Sequence, residues 1–154
     1  MKGPVRPWAA SSMLLALAGV IVAGIGVYFV VLRPPLLPED IRFMQLSAME
    51  TAAVGPKLVA WLTYVFRVLG GYALATGLLA IALAASGFRE RRPVAVLGVL
   101  LGGAASIGMM AVVNFAIGSD FRWLLAGCAA IWALALVAFW AEETIWRRQP
   151  GVGL

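Results

Sequence analysis

The sequence contains no histidine, one cysteine and few charged residues, which make up 12% of the chain. Without histidine, the commonest general base, the usual axial haem ligand and most zinc sites are excluded. Cys128 alone can form neither an internal disulfide nor a CxxC redox pair, and no phosphate-binding loop or dinucleotide fingerprint occurs. We therefore expect no catalytic residues, no metal and no cofactor, and most enzyme classes are disfavoured.

Intramembrane acids are also missing, because none of the seven Asp and Glu residues lies in the middle of an apolar run. Pumps and exchangers usually carry such acids within the membrane. Apolar residues, by contrast, form 63% of the 154-residue chain, more than one small soluble core can bury. A hydrocarbon core about 30 Å thick needs about 20 apolar residues per helix. Four segments qualify, at 8–32, 58–87, 94–117 and 121–141.

Basic residues predict which side of the membrane the termini occupy. With both termini in the cytoplasm, one side collects Lys2, Arg6, Arg89, Arg91, Arg92, Arg147 and Arg148, and the other Arg33, Arg42, Lys57 and Arg122. This bias predicts a multi-pass membrane protein with cytoplasmic N- and C-termini. The net charge of +5 then requires no nucleic acid, since such residues meet anionic lipid headgroups.

The long connection between the first two spans is expected to contain one amphipathic helix at 38–52. Proline and two carboxylates at Pro38, Glu39 and Asp40 are typical of a helix start. The apolar strip that follows predicts that the helix lies in the outer interface, with Ile41 and Met44 less accessible than Glu39 and Gln45. The fold class is thus an all-α, integral membrane four-helix bundle with a short interfacial helix, in a single domain, 1–154.

Small residues on every span predict that the four helices pack on one another. The short connections at 89–92 and 118–120 predict that spans two, three and four are sequential antiparallel neighbours. Span three carries the sequence Gly98-Val99-Leu100-Leu101-Gly102, a GxxxG pattern.

The stretches LPEDIRFM and FRVLGGYALATGLLAIALA resemble small four-helix membrane proteins of bacteria that are loosely grouped with DoxX-like families. The resemblance covers 33–85 and is carried by Arg67, Gly70, Gly71 and Gly77. It implies a four-helix inner-membrane fold and no activity.

Arg67 is a charge that the sequence places deep inside a span, away from its ends. It either extends to the outer headgroups or points into the bundle. For the second arrangement we expect a polar cluster under the loop helix, in which Arg67 binds Glu50, Asp120 or Asn114 and holds the loop helix and span three to span two. The members of the candidate cluster are Arg67, Asn114, Tyr64, Thr63, Glu50 and Asp120.

Two functions are compatible with these features. The first is a non-enzymatic accessory or structural subunit that packs against a larger membrane complex or forms a homo-oligomer, in contact with membrane lipids. The second is a protein or enzyme that binds a lipid, quinone or isoprenoid at the polar cluster around Arg67.

Overall fold

The computed structural model describes residues 8–148, with side chains as far as Ile145. This part of the chain is helical and contains no strand. Lys2, Arg6 and the side chains of Arg147 and Arg148, which we assigned to the cytoplasm, lie outside the described residues. The helices are α1 (Ala10–Val31), α2 (Pro38–Met44), α3 (Ala48–Ala52), α4 (Pro56–Ala85), α5 (Pro93–Gly103), α6 (Met109–Ala116) and α7 (Arg122–Arg148), and a π-helical segment (Ala104–Gly108) joins α5 to α6.

Four helices are long and apolar enough to cross a membrane, which indicates a multi-pass membrane protein. They are α1, α4, the continuous stretch from α5 through α6, and α7. Their bounds fall close to the predicted spans, except that α7 continues past residue 141 to Arg148. The apolar run ends there, but Glu142 and Glu143 are compatible with helix and extend it.

Proline begins three of the helices, as its fixed φ and missing N–H favour. Pro38, Pro56 and Pro93 each occupy the first turn of α2, α4 and α5. In α2 the Asp40 carboxylate also accepts a hydrogen bond from the backbone N–H of Leu37, at 2.9 Å. The predicted helix starts at Pro38 and Pro56 are therefore confirmed.

Glycines bring α1 and α4 into backbone contact along their length, in antiparallel orientation. A Cβ added to Gly26 would overlap the backbone nitrogen of Leu74, and one added to Gly77 would overlap that of Ala23. Only glycine permits an approach this close. The pair is thus fixed by main chain against main chain.

The packing order of the long helices is α4, α1, α7 and then α5 to α6. α1 packs between α4 and α7, and α7 packs against α5, the π segment and α6. α4 and α5 are joined by a short turn but have few contacts, so the prediction that spans two and three are packed neighbours is wrong. The reason is that Gly70 and Gly77 of α4 face α1, which leaves α5 to pack on α7.

We call the end that holds α2, α3 and the 118–120 turn the loop end, and the opposite end, where α1 begins, the termini end. The core runs between α1, α4, α7 and α5 and is widest toward the termini end, where Leu15, Ala84 and Phe88 are almost fully buried. The rings of Phe88 and Phe139 pack there with centroids 4.8 Å apart.

The loop helix predicted at 38–52 is two short helices, α2 and α3, with a break between them. Gln45 ends α2 in the left-handed region, at φ 55°. Ser47 then begins α3 as its N-cap. Because Ser, with Glu three residues later, is a capping box that favours a new helix start, the chain turns here instead of continuing.

The predicted accessibility of α2 is wrong at Glu39, although Ile41 is less accessible than Gln45, as predicted. Glu39 is 3% exposed, whereas Met44 is 46% exposed. The helix places Glu39 against the 118–120 turn, where its carboxylate meets a buried hydroxyl.

Candidate functional site

The six residues of the predicted polar cluster are not joined to one another by hydrogen bonds or ion pairs. Arg67 is exposed, and it makes no hydrogen bond or ion pair with any residue in the described range 8–148. Glu50 instead caps α3, accepting from the backbone N–H of Ser47 at 2.8 Å and from its hydroxyl at 2.6 Å. Asp120 pairs with Arg42 at 2.9 Å. The expected contacts from Arg67 to Glu50 and Asp120 are therefore not formed.

The uncharged members of the predicted cluster satisfy their polar groups within their own helices. The Asn114 amide donates to the Met110 carbonyl at 2.9 Å, and the Thr63 hydroxyl donates to the Val59 carbonyl at 3.0 Å. Tyr64 is 64% exposed. None of the three side chains is directed at Arg67 by a hydrogen bond.

A different arginine, Arg33, holds the loop to α1 and α4. Its guanidinium pairs with Asp40 at 3.1 Å, and its side chain is only 7% exposed. The guanidinium carbon also lies 3.3 Å from the centroid of the Phe66 ring and 5.3 Å from that of Phe29. An arginine stacked on aromatic faces and paired with a carboxylate is strongly positioned. The role that we predicted for Arg67 thus belongs in part to Arg33.

The turn between α6 and α7 supplies the other attachments of α2. Arg42 donates to the Gly118 carbonyl at 3.2 Å and pairs with Asp120, both side chains being exposed. Glu39 accepts from the Ser119 hydroxyl at 3.3 Å, with both residues buried. We call these contacts, together with the Arg33 to Asp40 pair, the loop clamp.

Sequence reasoning missed Glu39 because it treated both acids of the first turn as helix-start residues facing water. A signal was present, since the residue at the third helical position, Asp40, suffices for the capping box. The second carboxylate was therefore free for another contact. Which element would supply that contact depends on packing that the sequence does not state.

The level of Arg67 along the structure follows from the contact between α4 and α1. A Cβ on Gly70 would touch Phe29 and Val30 at 2.8 and 2.9 Å. Arg67 lies three residues nearer the loop end, about 4.5 Å along the helix. It is therefore level with the last turn of α1, which ends at Val31. The first turns of α4 extend beyond the end of α1.

The termini end carries a second polar cluster, which links α1, α7 and the turn before α5. Glu142 of α7 accepts from the backbone N–H of Ser11 at 3.0 Å and from its hydroxyl at 2.7 Å. Arg91 donates to Glu142 at 2.6 Å and to the Phe139 carbonyl at 3.1 Å. A carboxylate at the first turn of α1 is also favoured by the helix dipole. We call this set the termini clamp.

Arg91 adopts a backbone conformation that is unusual for a residue other than glycine, with φ 59°. Residues in this region carry strain that the surroundings must offset. Here the guanidinium lies 4.6 Å from the Phe139 ring centroid and is bonded to three groups of α7. The strained turn therefore aims Arg91 at α7.

The chemistry that these clusters can perform is binding and bracing. Within residues 8–148, no three Asp, Glu or Cys side chains come together as a metal site would require. The hydrogen bonds from the Ser47 hydroxyl and backbone lower the pKa of Glu50, so that this carboxyl stays ionised and caps α3. Cation and carboxylate pairs that are already closed stabilise the fold rather than bind a further ligand.

Comparison of the chain with protein-family models, curated proteins and solved structures finds no match.

Proposed function

We propose that the chain is a four-helix bundle in the bacterial inner membrane, with both termini in the cytoplasm and with α2 and α3 in the interface at the loop end. The support for crossing is the length and apolarity of the four helices. The support for the orientation is the excess of basic residues at the termini end. A reporter active only in the cytoplasm, fused after Leu154, is expected to be active, and activity of a periplasmic reporter there would invert the orientation.

Its proposed function is that of a non-enzymatic accessory subunit that packs against a larger membrane complex. The observation that carries this proposal is the exposed face of α5. Gly98 and Gly102 lie on this face, and a Cβ at either would meet nothing within 4 Å. Val94 and Leu101 on the same side are 82% and 58% exposed.

The use of glycine elsewhere in the chain explains why this face matters. In a helix interior, glycine costs about 1 kcal/mol relative to alanine. Between α1 and α4 this cost is offset, because Gly26 and Gly77 allow the backbones to meet. At Gly98 and Gly102 no neighbour within the described residues offsets it. A helix from another protein that packs on α5 would do so.

The partner that we propose is a helix of another protein with small residues in its apolar part. Such residues would allow it to approach Gly98 and Gly102 as closely as α1 approaches α4.

The test replaces Gly98 with leucine in the full chain and measures the partner by native mass spectrometry after mild detergent extraction. A photo-crosslinker at Leu101 identifies what contacts α5. Gly24→Leu is the matched control, because Gly24 is equally open but lies on α1. The proposal expects a stoichiometric membrane protein, cross-linked through one of its own apolar helices, that Gly98→Leu loses and Gly24→Leu keeps.

Two results would overturn this assignment. A cross-linked product of twice the chain mass would identify a homo-oligomer. Equal retention of every companion protein by wild type and both variants would show that the α5 face is not a contact surface.

The alternative, a lipid, quinone or isoprenoid binding protein or enzyme, was based on the polar cluster around Arg67. The hydrogen bonds of that cluster go elsewhere, so the alternative loses the multi-residue site on which it depended.

A further inference from the structure

Arg67 has an exposed guanidinium that takes no part in the polar contacts of the fold. It makes no hydrogen bond or ion pair within residues 8–148, although the carboxylates Asp40 and Asp120 of the same end are paired with other arginines. The residues around it on α4, Tyr64, Val68 and Gly71, are exposed as well. The side chain therefore points away from the other helices.

The depth of Arg67 places it at an edge of the apolar zone. α1 has 22 residues, a length of about 33 Å at 1.5 Å per residue, which matches a hydrocarbon core of about 30 Å. The last turn of α1, with which Arg67 is level, thus marks one boundary of that core. Trp61 and Tyr64, 59% and 64% exposed on the next turns of α4, are the aromatic residues that favour such a boundary.

The side chain of Arg67 has further reach toward the headgroups. Helical side chains lean toward the N-terminus of their own helix, which for α4 is the loop end. A guanidinium that starts level with the last turn of α1 and leans outward arrives where lipid phosphates lie.

Below Arg67, toward the centre of the span, the surface of α4 is recessed. Gly71 lies one turn away, with nothing within 4 Å of a Cβ built there, and Ala75 is exposed one turn further. Val68 and Leu78, both exposed, border this strip. A strip of this shape leaves room for an acyl chain directly beneath a cation.

We infer that Arg67 binds the phosphate of a phospholipid at the loop end, with an acyl chain along Gly71 and Ala75. Guanidinium binds phosphate through two parallel hydrogen bonds, which a lysine cannot reproduce. A carboxylate from a neighbouring protein would satisfy the charge too, but a residue level with the end of α1 meets headgroups first. This inference is independent of the partner proposed for α5.

The experiment titrates delipidated full-length protein in detergent with phosphatidylglycerol and counts bound lipid by native mass spectrometry. Arg67→Leu is expected to weaken the apparent affinity about fivefold, the contribution of one basic side chain at an anionic surface. Arg67→Lys should fall between the two, because it keeps the charge and loses the fork. Arg42→Leu is the matched control, an arginine of the same end that is already paired with Asp120, and it should bind as wild type does.

A second variant tests the acyl strip without touching the charge. Gly71→Leu fills the recess beneath Arg67 and should also weaken binding of phosphatidylglycerol, while Gly24→Leu should not. Both glycines have open surroundings, so neither change should lower thermal stability.

Three outcomes would overturn the inference. Unchanged lipid affinity in Arg67→Leu would show that the side chain is not a lipid ligand. Displacement of the lipid by inorganic phosphate at equal concentration would show a free-phosphate site. Loss of a bound protein from Arg67→Leu, with lipid affinity unchanged, would assign Arg67 to a carboxylate of that protein.

Discussion

Two helix pairs in this molecule are held together by different means. α1 and α4 meet through glycines at several levels, so that the backbones themselves touch. α5 and α7 are joined by a side chain, Trp132, whose indole lies against Gly103 and donates to the Val99 carbonyl at 2.9 Å. The first pair is held by main chain against main chain, and the second by a side chain against main chain.

The difference is also visible in the regularity and burial of the helices. α1 and α4 are uninterrupted, whereas the third span changes to π-helix at Ala104–Gly108, next to the Trp132 contact. In the most apolar window of this span, 22% of the residues are buried, against 28% in each of the other three. Lipid provides no hydrophobic force between helices, so the closeness of packing decides how firmly each is held. The third span is therefore the one with most surface left for another molecule.

The largest effect is expected when the glycine contact between α1 and α4 is broken. Gly26→Leu would force a side chain into the backbone of Leu74 and should cost about 3 kcal/mol, as overpacking does. The measurement is reversible unfolding in mixed micelles with increasing sodium dodecyl sulfate. Gly24→Leu, in open space on the other side of α1, should not lower stability, because leucine favours helix more than glycine does. Equal effects of the two changes would show that the close approach does not hold the pair.

The next largest effect should come from the termini clamp, which joins the two pairs. Glu142→Gln removes the charge that Arg91 and Ser11 share and should cost about 2 kcal/mol, since hydrogen bonds to charged groups are the stronger ones. Glu90→Gln, whose partner Arg92 is well exposed, should be almost neutral. If the two variants have the same free energy of unfolding, the termini clamp contributes no more than a surface ion pair.

A smaller effect is expected at the contact that holds the third span. Trp132→Phe keeps an aromatic ring beside Gly103 but loses the indole N–H and the volume of the second ring at a buried position. The hydrogen bond between membrane helices is worth about 0.6 kcal/mol, and the cavity left by the smaller ring adds to that cost. Hydrogen exchange should increase from Val99 to Gly108 and stay unchanged in α1 and α4. Faster exchange in α1 as well would mean that the two pairs are less independent than their contacts indicate.

Protonation of Glu50 should produce the smallest effect and leave both helix pairs in place. The folded pKa of Glu50 is lowered, so its contribution to α3 is present at neutral pH and is lost as the pH falls through that pKa. Amides of Glu50 and Thr51 should then exchange faster, and those of α4 should not. Glu50→Gln should show the faster exchange already at neutral pH. If the protection of these amides from exchange does not change with pH, the cap does not depend on the charge of Glu50.

The spans were predictable from sequence because each is decided by local composition. An apolar run of sufficient length, begun by proline at Pro56 or Pro93, marks a long helix without any knowledge of its neighbours. The same holds for the start of α2 at Pro38.

Which helices pack against each other was not predictable, because this depends on which side of a helix each small residue occupies. Gly70 and Gly71 are adjacent in sequence, yet Gly70 touches α1 and Gly71 touches nothing within 4 Å. Short connections suggested that α4 and α5 pack together, but glycine placement directed α4 to α1. The π segment likewise leaves no sequence mark that distinguishes it from ordinary helix.

The prediction of the polar contacts at the loop end was wrong for a related reason. Arg67 was the conspicuous charge in sequence, while Arg33 looked like an ordinary flanking residue. In three dimensions the end of α1 lies beside Phe66, so Arg33 contacts two aromatic rings and pairs with Asp40. Arg67 follows Phe66 by one residue on α4 and faces outward. One residue turns a helix by 100°, which is enough to exchange a buried position for an exposed one.

The termini clamp also bears on the order in which the chain can assemble as it is synthesised. α1 and α4 have all of their shared contacts once residue 85 has entered the membrane, so they can leave the insertion machinery as a finished hairpin. Ser11, however, finds Glu142 only 131 positions later in the chain. Until the last helix arrives, the first turn of α1 is satisfied by water and headgroups. Formation of the termini clamp is then the last step in assembly of the bundle.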